Sequence, residues 1–331
     1  MTSQTLRSYR AIPWQRVRGL AFDMDGTLYR ADAEVFYRGY VRSLAARLRN
    51  GQPLTLLAEY ERWLRGDSPF LSEYLYDFRR RWLVRWDDAQ PSEGYDPRSG
   101  QAVPPEQLAH AYRDGAPPNR LLRMGDGWTQ LGCAAHCYGA SMKDVIDGYR
   151  AFQDDIIADP GACGIAADSL LSRTLRLLSQ RGYYLALMTM SQGEVVTAIL
   201  RALGVGGVFN VLSEGVRKPD GTPAALRSLA EMTGLAVGEW LVVGDNPVND
   251  LAPAKRLGLP TILVHHPSGG EAANTDLYCP ALADCLTVLE ANLPPLEQHP
   301  RILGRLAPED EPEAEHAEPG AEHDAAADPL V

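Results

Sequence analysis

The sequence predicts a doubly wound α/β fold, a parallel sheet with helices on both faces, interrupted early by an inserted, mainly helical segment. Three observations predict it. From about residue 160 onward, short apolar runs alternate regularly with stretches of helical apolar spacing. One further apolar run stands far upstream, at residues 17–22. Between these two regions the strand-like runs give way to helical periodicity.

The elements follow in order. Residues 17–22 read as a buried strand with Asp23 at its C-terminal end. Residues 34–50 and 55–66 have helical spacing, as do residues 73–86, where Tyr74, Phe78, Trp82 and Trp86 fall four apart. Residues 87–105 are rich in Pro, Gly and Asp and read as a loop or linker. Residues 142–157 form another expected helix. The alternation then begins, with helices expected at 168–182, 194–204, 222–234, 249–258 and 284–293. Strands are expected at 183–189, 208–212, 240–244 and 260–264. The expected organisation is a core built from residues 1–30 and 160–295, with an inserted domain at 31–159. An acidic tail at 306–331 has too little apolar surface to order.

Composition excludes some functions. The formal net charge is −11, but the segment from Pro308 onward holds nine acidic residues and no Lys or Arg. The remainder is close to neutral, so no basic field attracts nucleic acid. No apolar run approaches the roughly 20 residues that span a bilayer. The N-terminus lacks the apolar stretch of a signal peptide, which makes the cytoplasm the expected location. Five cysteines do not suggest a disulfide framework.

Open α/β sheets bind ligands outside the carboxyl ends of their strands. The polar residues there are Asp23 and Asp25 after the first strand, Thr189 and Ser191 after the second, Lys218 beyond the third, and Asp245 and Asp250 after the fourth. A carboxylate such as Asp23 can attack phosphorus and form an aspartyl-phosphate. A divalent cation must then offset the repulsion between two anions, and Mg²⁺ suits Asp23 and Asp245. Asp25 could protonate the leaving oxygen and later activate water. Thr189 and Ser191 could hold phosphoryl oxygens, and Lys218 could offset the charge that builds there. Gly26 lets the backbone bend just after the acid pair.

At these residues the chain resembles the haloacid dehalogenase superfamily. Its DxDGT motif matches Asp23-Met24-Asp25-Gly26-Thr27. Its strand-closing Thr matches Thr189, its Lys before Pro-Asp matches Lys218, and its Gly-Asp with a further Asp matches Gly244-Asp245 and Asp250. The resemblance spans about residues 17–30 and 160–290. It implies a Rossmann-like core and a helical cap at the insertion point. It also implies a nucleophilic Asp23, an acid/base Asp25, and Mg²⁺ held by Asp23, the Asp25 carbonyl and Asp245, with Asp250 beside them. Met190 stands where many members place Asn. Dehalogenating members lack the second Asp, so Asp25 implies a phosphatase that acts on a small phosphorylated metabolite.

Two other readings share this scaffold. A phosphomutase would return the phosphoryl group to a bound sugar, and a binding protein would have kept the fold without turnover. Elsewhere, the aromatic residues of the insertion, including Tyr60 and Trp63, are expected in its core. Arg79, Arg80, Arg81 and Arg85 form a solvated face or a second-phosphate site. Cys133, His136 and Cys137 fit no standard zinc spacing and are expected to pack.

Overall fold

The computed structural model describes residues 7–8, 10–49, 52–71, 73–87, 90–113, 121–265, 275–297 and 304–306. The acidic tail beyond Leu306 lies outside the described residues. The chain opens with β1 (Arg7–Ser8) and β2 (Gly19–Phe22). The inserted stretch follows. It begins with α1 (Ala33–Ala45), α2 (Gln52–Arg65), β3 (Leu75–Asp77), β4 (Trp82–Asp87) and β5 (Gln90–Asp96). It continues with β6 (Gln101–Ala102), α3 (Pro105–Ala111), β7 (Leu121–Arg123), α4 (Gly127–Cys137) and α5 (Met142–Ala158). The regular alternation then runs through α6 (Ser169–Gln180), β8 (Tyr184–Met188), α7 (Glu194–Ala202), β9 (Val211–Ser213) and α8 (Thr222–Thr233). It ends with β10 (Trp240–Gly244), α9 (Ala252–Arg256), β11 (Thr261–Val264), β12 (Leu277–Cys279), α10 (Leu282–Asn292) and β13 (Gly304–Leu306).

The large sheet has the order β1-β12-β11-β10-β2-β8-β9-β13. Every neighbouring pair is parallel except β1 with β12. Phe22 lies opposite Val243 on one side and Leu187 on the other. Successive residues bury opposite faces. Leu20, Phe22, Leu185 and Leu187 join the cluster packed under α6, α7 and α10. Ala21, Ala186 and Val242 join the one under α8 and α9. With both faces covered, apolar runs without alternation are what the strands require. The chain order reverses between β2 and β10, so a crevice opens where their carboxyl ends diverge.

Local chemistry sets the helix starts. Asp32 caps α1 by accepting from the amides of Glu34 and Val35, and Asp168 does the same for α6. Reciprocal capping boxes open α4 (Asp126 with Thr129) and α5 (Ser141 with Asp144). The apolar cluster on the α6 face runs on into the insertion through Phe36, Tyr40 and Phe152. No helix among the described residues is long and apolar enough to cross a membrane.

The structure corrects the reading of residues 73–105. The insertion is helical in its larger part, but it also holds a five-stranded antiparallel sheet, β6-β5-β4-β3-β7. Residues 73–86 are not a helix. Asp77 accepts from the amides of Arg79 and Arg80, Arg81 takes φ 58°, and its amide closes back on the Asp77 carbonyl at 2.7 Å. That turn pairs β3 with β4 as a hairpin. Four-residue spacing is also even spacing, so Trp82 and Trp86 share one face of β4 with Val84. The Pro-rich stretch is largely β5 and β6. Pro91 sits where the β4–β5 register shifts, a position that tolerates the missing donor.

Candidate active site

Asp23 follows β2 directly, and its amide donates to the Val243 carbonyl at 2.9 Å. Its carboxylate is held from two sides: Lys218 Nζ lies 2.6 Å from Oδ1, and Thr27 Oγ1 donates to Oδ2 at 3.0 Å. Lys218 also reaches Asp250 Oδ1 at 2.8 Å, so one buried ammonium bridges two strand ends. Asp250 Oδ2 accepts from the Asn246 amide. The carboxylates of Asp23, Asp245 and Asp250 can each present an oxygen within 4.8 Å of the others. Asp245 has no hydrogen-bond partner among the described residues.

Glycines permit this approach. Gly26 takes φ +83°, and a Cβ there would lie 2.2 Å from Asp245 Oδ2. At Gly244 a Cβ would lie 2.5 Å from the Asp250 Cβ.

Asp25 faces the same space. Tyr29 donates to its Oδ1 at 2.5 Å, and Ser191 Oγ lies 3.4 Å from Oδ2. Burial, then the neighbouring Asp23 charge, pushes Asp25 up to about 6. Burial likewise raises Asp245 well above the ordinary range and Asp250 to about 6. Burial opposes the Lys218 charge, but Asp23 and Asp250 outweigh it and hold the ammonium above its usual range.

These groups meet at a cavity of about 680 Å³. Asp23, Asp25, Ser191, Lys218, Asp245 and Asp250 all line it. Thr189 does not. It is fully buried behind them, and its hydroxyl accepts from the Ser191 amide at 3.0 Å. The structure adds residues that sequence reasoning missed. Tyr29 is the partner of Asp25, four positions on, and nothing in the sequence between them marked it. Asp126, at the start of α4, lines the cavity from the insertion. Asn246 Nδ2 ties the core to that segment by donating to the Gly125 carbonyl at 2.9 Å.

The other candidates divide between the cavity wall, where Cys133 also lies, and positions away from it. Tyr60 is 2% exposed and in the core, whereas Trp63 and Phe78 line the cavity. Arg80 pairs with Asp77, and Arg85 lies near Glu73 and Glu93. None of Arg79, Arg80, Arg81 and Arg85 lines the cavity. Cys133 and Cys137 are buried free thiols, and His136 Nδ1 meets the Tyr76 hydroxyl at 2.9 Å.

Residues 17–258 match the family of haloacid dehalogenase-like hydrolases. A plasmid phosphoglycolate phosphatase of Cupriavidus necator is 31% identical over 138 residues, 40% of this chain and 55% of that protein. A phosphoglycolate phosphatase of Vibrio parahaemolyticus is 30% identical over 146 residues, 42% of this chain and 64% of that protein. The chain therefore spans less than two thirds of the length of these relatives. Among solved structures, a predicted phosphoglycolate phosphatase from Haemophilus somnus is 18% identical, with a TM-score of 0.45 over 82% of this chain and 98% of that one. The family match covers well over half of the chain and takes in Asp23, Asp25, Lys218, Asp245 and Asp250, and so the chain belongs to the haloacid dehalogenase-like hydrolases.

Proposed function

We propose that the chain is a Mg²⁺-dependent phosphatase that hydrolyses a small phosphate monoester through an aspartyl-phosphate on Asp23. One observation carries the reading. At the switch point of the sheet, Asp23 is oriented by Lys218 and Thr27 while Asp25 faces the same cavity with its proton affinity raised.

The donor set fits a hard divalent cation. It is made of carboxylate oxygens, and three of them lie within 4.8 Å of one another. Asp23, Asp245 and the Asp25 backbone carbonyl would hold Mg²⁺, with Asp250 beside them. Bound there, the ion would offset the charge on the nucleophile and the phosphoryl oxygens.

The protein groups then have distinct tasks. Asp23 attacks phosphorus, forming one O–P bond as the bond to the leaving alcohol breaks. Asp25 gives its proton to that departing oxygen. Asp25, now a carboxylate, takes a proton from water, and the water oxygen attacks phosphorus and frees Asp23. Lys218 offsets charge on the transferring group and keeps Asp23 aimed. Ser191 would bind phosphoryl oxygens, and Thr189, whose hydroxyl accepts from the Ser191 amide, would hold that loop in place.

The test is release of inorganic phosphate from a panel of phosphate esters, with Mg²⁺ or with EDTA. Magnesium-dependent release that disappears in Asp23→Asn supports the mechanism. Turnover unchanged in Asp23→Asn removes it. The names of the relatives make phosphoglycolate one member of that panel.

A further inference from the structure

The cavity beside Asp23 is far larger than a phosphoryl group needs, and most of its remaining wall is hydrocarbon. Tyr37 of α1, Trp63 of α2, Trp128 of α4 and Tyr149 of α5 form the side contributed by the insertion. Met142 and Ile146, one turn apart at the start of α5, continue that surface, and Met190 from the loop after β8 joins them. These three are 41%, 44% and 48% exposed. Large apolar side chains left in water normally scatter singly, and a group of them lining one cavity marks a binding surface.

Several of the polar tips in the wall are already engaged inside the protein. Trp63 Nε1 donates to Gln130 Oε1 at 2.6 Å, Thr129 Oγ1 donates to Asp126 Oδ1 at 2.9 Å, and Tyr29 donates to Asp25. The charges are also wrong for an acidic substrate. Beyond the catalytic carboxylates the wall carries Asp126. Its only lining cations among the described residues are Lys218, committed to Asp23 and Asp250, and the exposed Arg30.

We propose that the alcohol released by this enzyme is large and apolar, an aryl or medium-chain alkyl group, and that phosphoglycolate is a poor substrate. The proposal rests on the phosphatase reading above and names the leaving group for that site. A cavity of about 680 Å³ is in the range that encloses a drug-sized ligand. A two-carbon acid would leave most of it unfilled. Its carboxylate would shed water against aromatic faces and Asp126 with no buried cation free to receive it. An apolar arm gains instead, since each methylene taken from water is worth about a threefold to fourfold preference. The chemistry is unchanged: the P–O bond to the apolar alcohol breaks, and that oxygen takes the proton of Asp25.

The experiment uses the full chain with Mg²⁺ and measures kcat/KM by phosphate release. The substrates are ethyl, butyl, hexyl and octyl phosphate, 2-naphthyl phosphate and phosphoglycolate. The expected result is a rise of about threefold per methylene from ethyl to hexyl. The naphthyl ester should exceed phosphoglycolate by roughly a hundredfold or more. Ile146→Gln, at an exposed position, should lower the octyl-to-ethyl ratio by about fivefold. Rates that are flat along the series, a phosphoglycolate optimum, or an octyl-to-ethyl ratio untouched by Ile146→Gln would each overturn the proposal while leaving the phosphatase reading in place. No release from any ester would overturn both.

Discussion

Lys218 is the point where the geometry makes the strongest quantitative demand. Its side chain is 2% exposed, and its ammonium lies 2.6 Å from Asp23 and 2.8 Å from Asp250. Replacing it with Met keeps much of the stem volume and removes the charge. The carboxylates of Asp23, Asp245 and Asp250 are then left within 4.8 Å of one another with no lysine between them. Near a protein surface two unit charges 4 Å apart interact by about 4 kcal/mol. Breaking a buried pair by removing one partner costs about 3–5 kcal/mol. In EDTA, Lys218→Met should therefore lose about that much unfolding free energy in a urea titration. Mg²⁺ should return part of it, since a ligand at a hundred times its dissociation constant adds about 2.7 kcal/mol. The gain on adding Mg²⁺ should be larger for the variant than for the parent, because the ion no longer competes with the ammonium. Turnover should fall about 10²–10³-fold even with the metal bound. A variant as stable as the parent in EDTA, with the same response to Mg²⁺, would refute the idea that this lysine neutralises the carboxylate cluster.

Other perturbations separate the parts of the site. The hydrogen bond from Tyr29 lowers the Asp25 proton affinity against the larger effect of burial. Tyr29→Phe should therefore move the Asp25 limb of the kcat/KM profile to higher pH, and an unmoved limb would assign that limb elsewhere. Burial raises Asp250 to about 6, so below that pH a metal must displace a proton. The rise in Tm on adding Mg²⁺ should accordingly be larger at pH 8 than at pH 5. In EDTA the sign reverses. Asp25 and Asp250 hold protons more tightly folded than unfolded, so stability should decline as pH rises from about 4 through about 6. Gly26→Ala places a Cβ at positive φ and 2.2 Å from Asp245 Oδ2. It should weaken Mg²⁺ binding, read by calorimetry, more than it lowers Tm in EDTA. Asp77→Ala should cost about 3 kcal/mol in urea, because the buried Tyr112 hydroxyl and the hairpin amides lose their acceptor.

The parts of this molecule that could be read from the sequence are those whose position follows from local order. Asp23, Asp25, Asp245 and Asp250 each stand just past an apolar strand, and a parallel sheet brings such ends to one rim whatever else the chain does. Lys218 was legible for the same reason, although it follows a strand of only three residues. Residues 73–86 were misread because spacing by four satisfies a helix and a strand alike. The deciding signal was Asp77, whose side chain binds the amides two and three residues on and turns the chain. The cavity wall had no local signature. Trp63, Trp128 and Met190 come from α2, α4 and the loop after β8, and periodicity within a helix shows which residues share a face but not what that face meets. Asn246 and Gly125 join across 121 positions of sequence, and that bond fixes where α4 begins relative to the carboxylates. The proposed reaction is thus written in short strand-end motifs, and the proposed selectivity in tertiary contacts between the insertion and the core. On that reading, two chains could share every strand-end residue of this one and still differ in the ester they would hydrolyse. Under the proposal, Met142, Ile146 and Met190 carry the second kind of information, and no strand-end motif marks them.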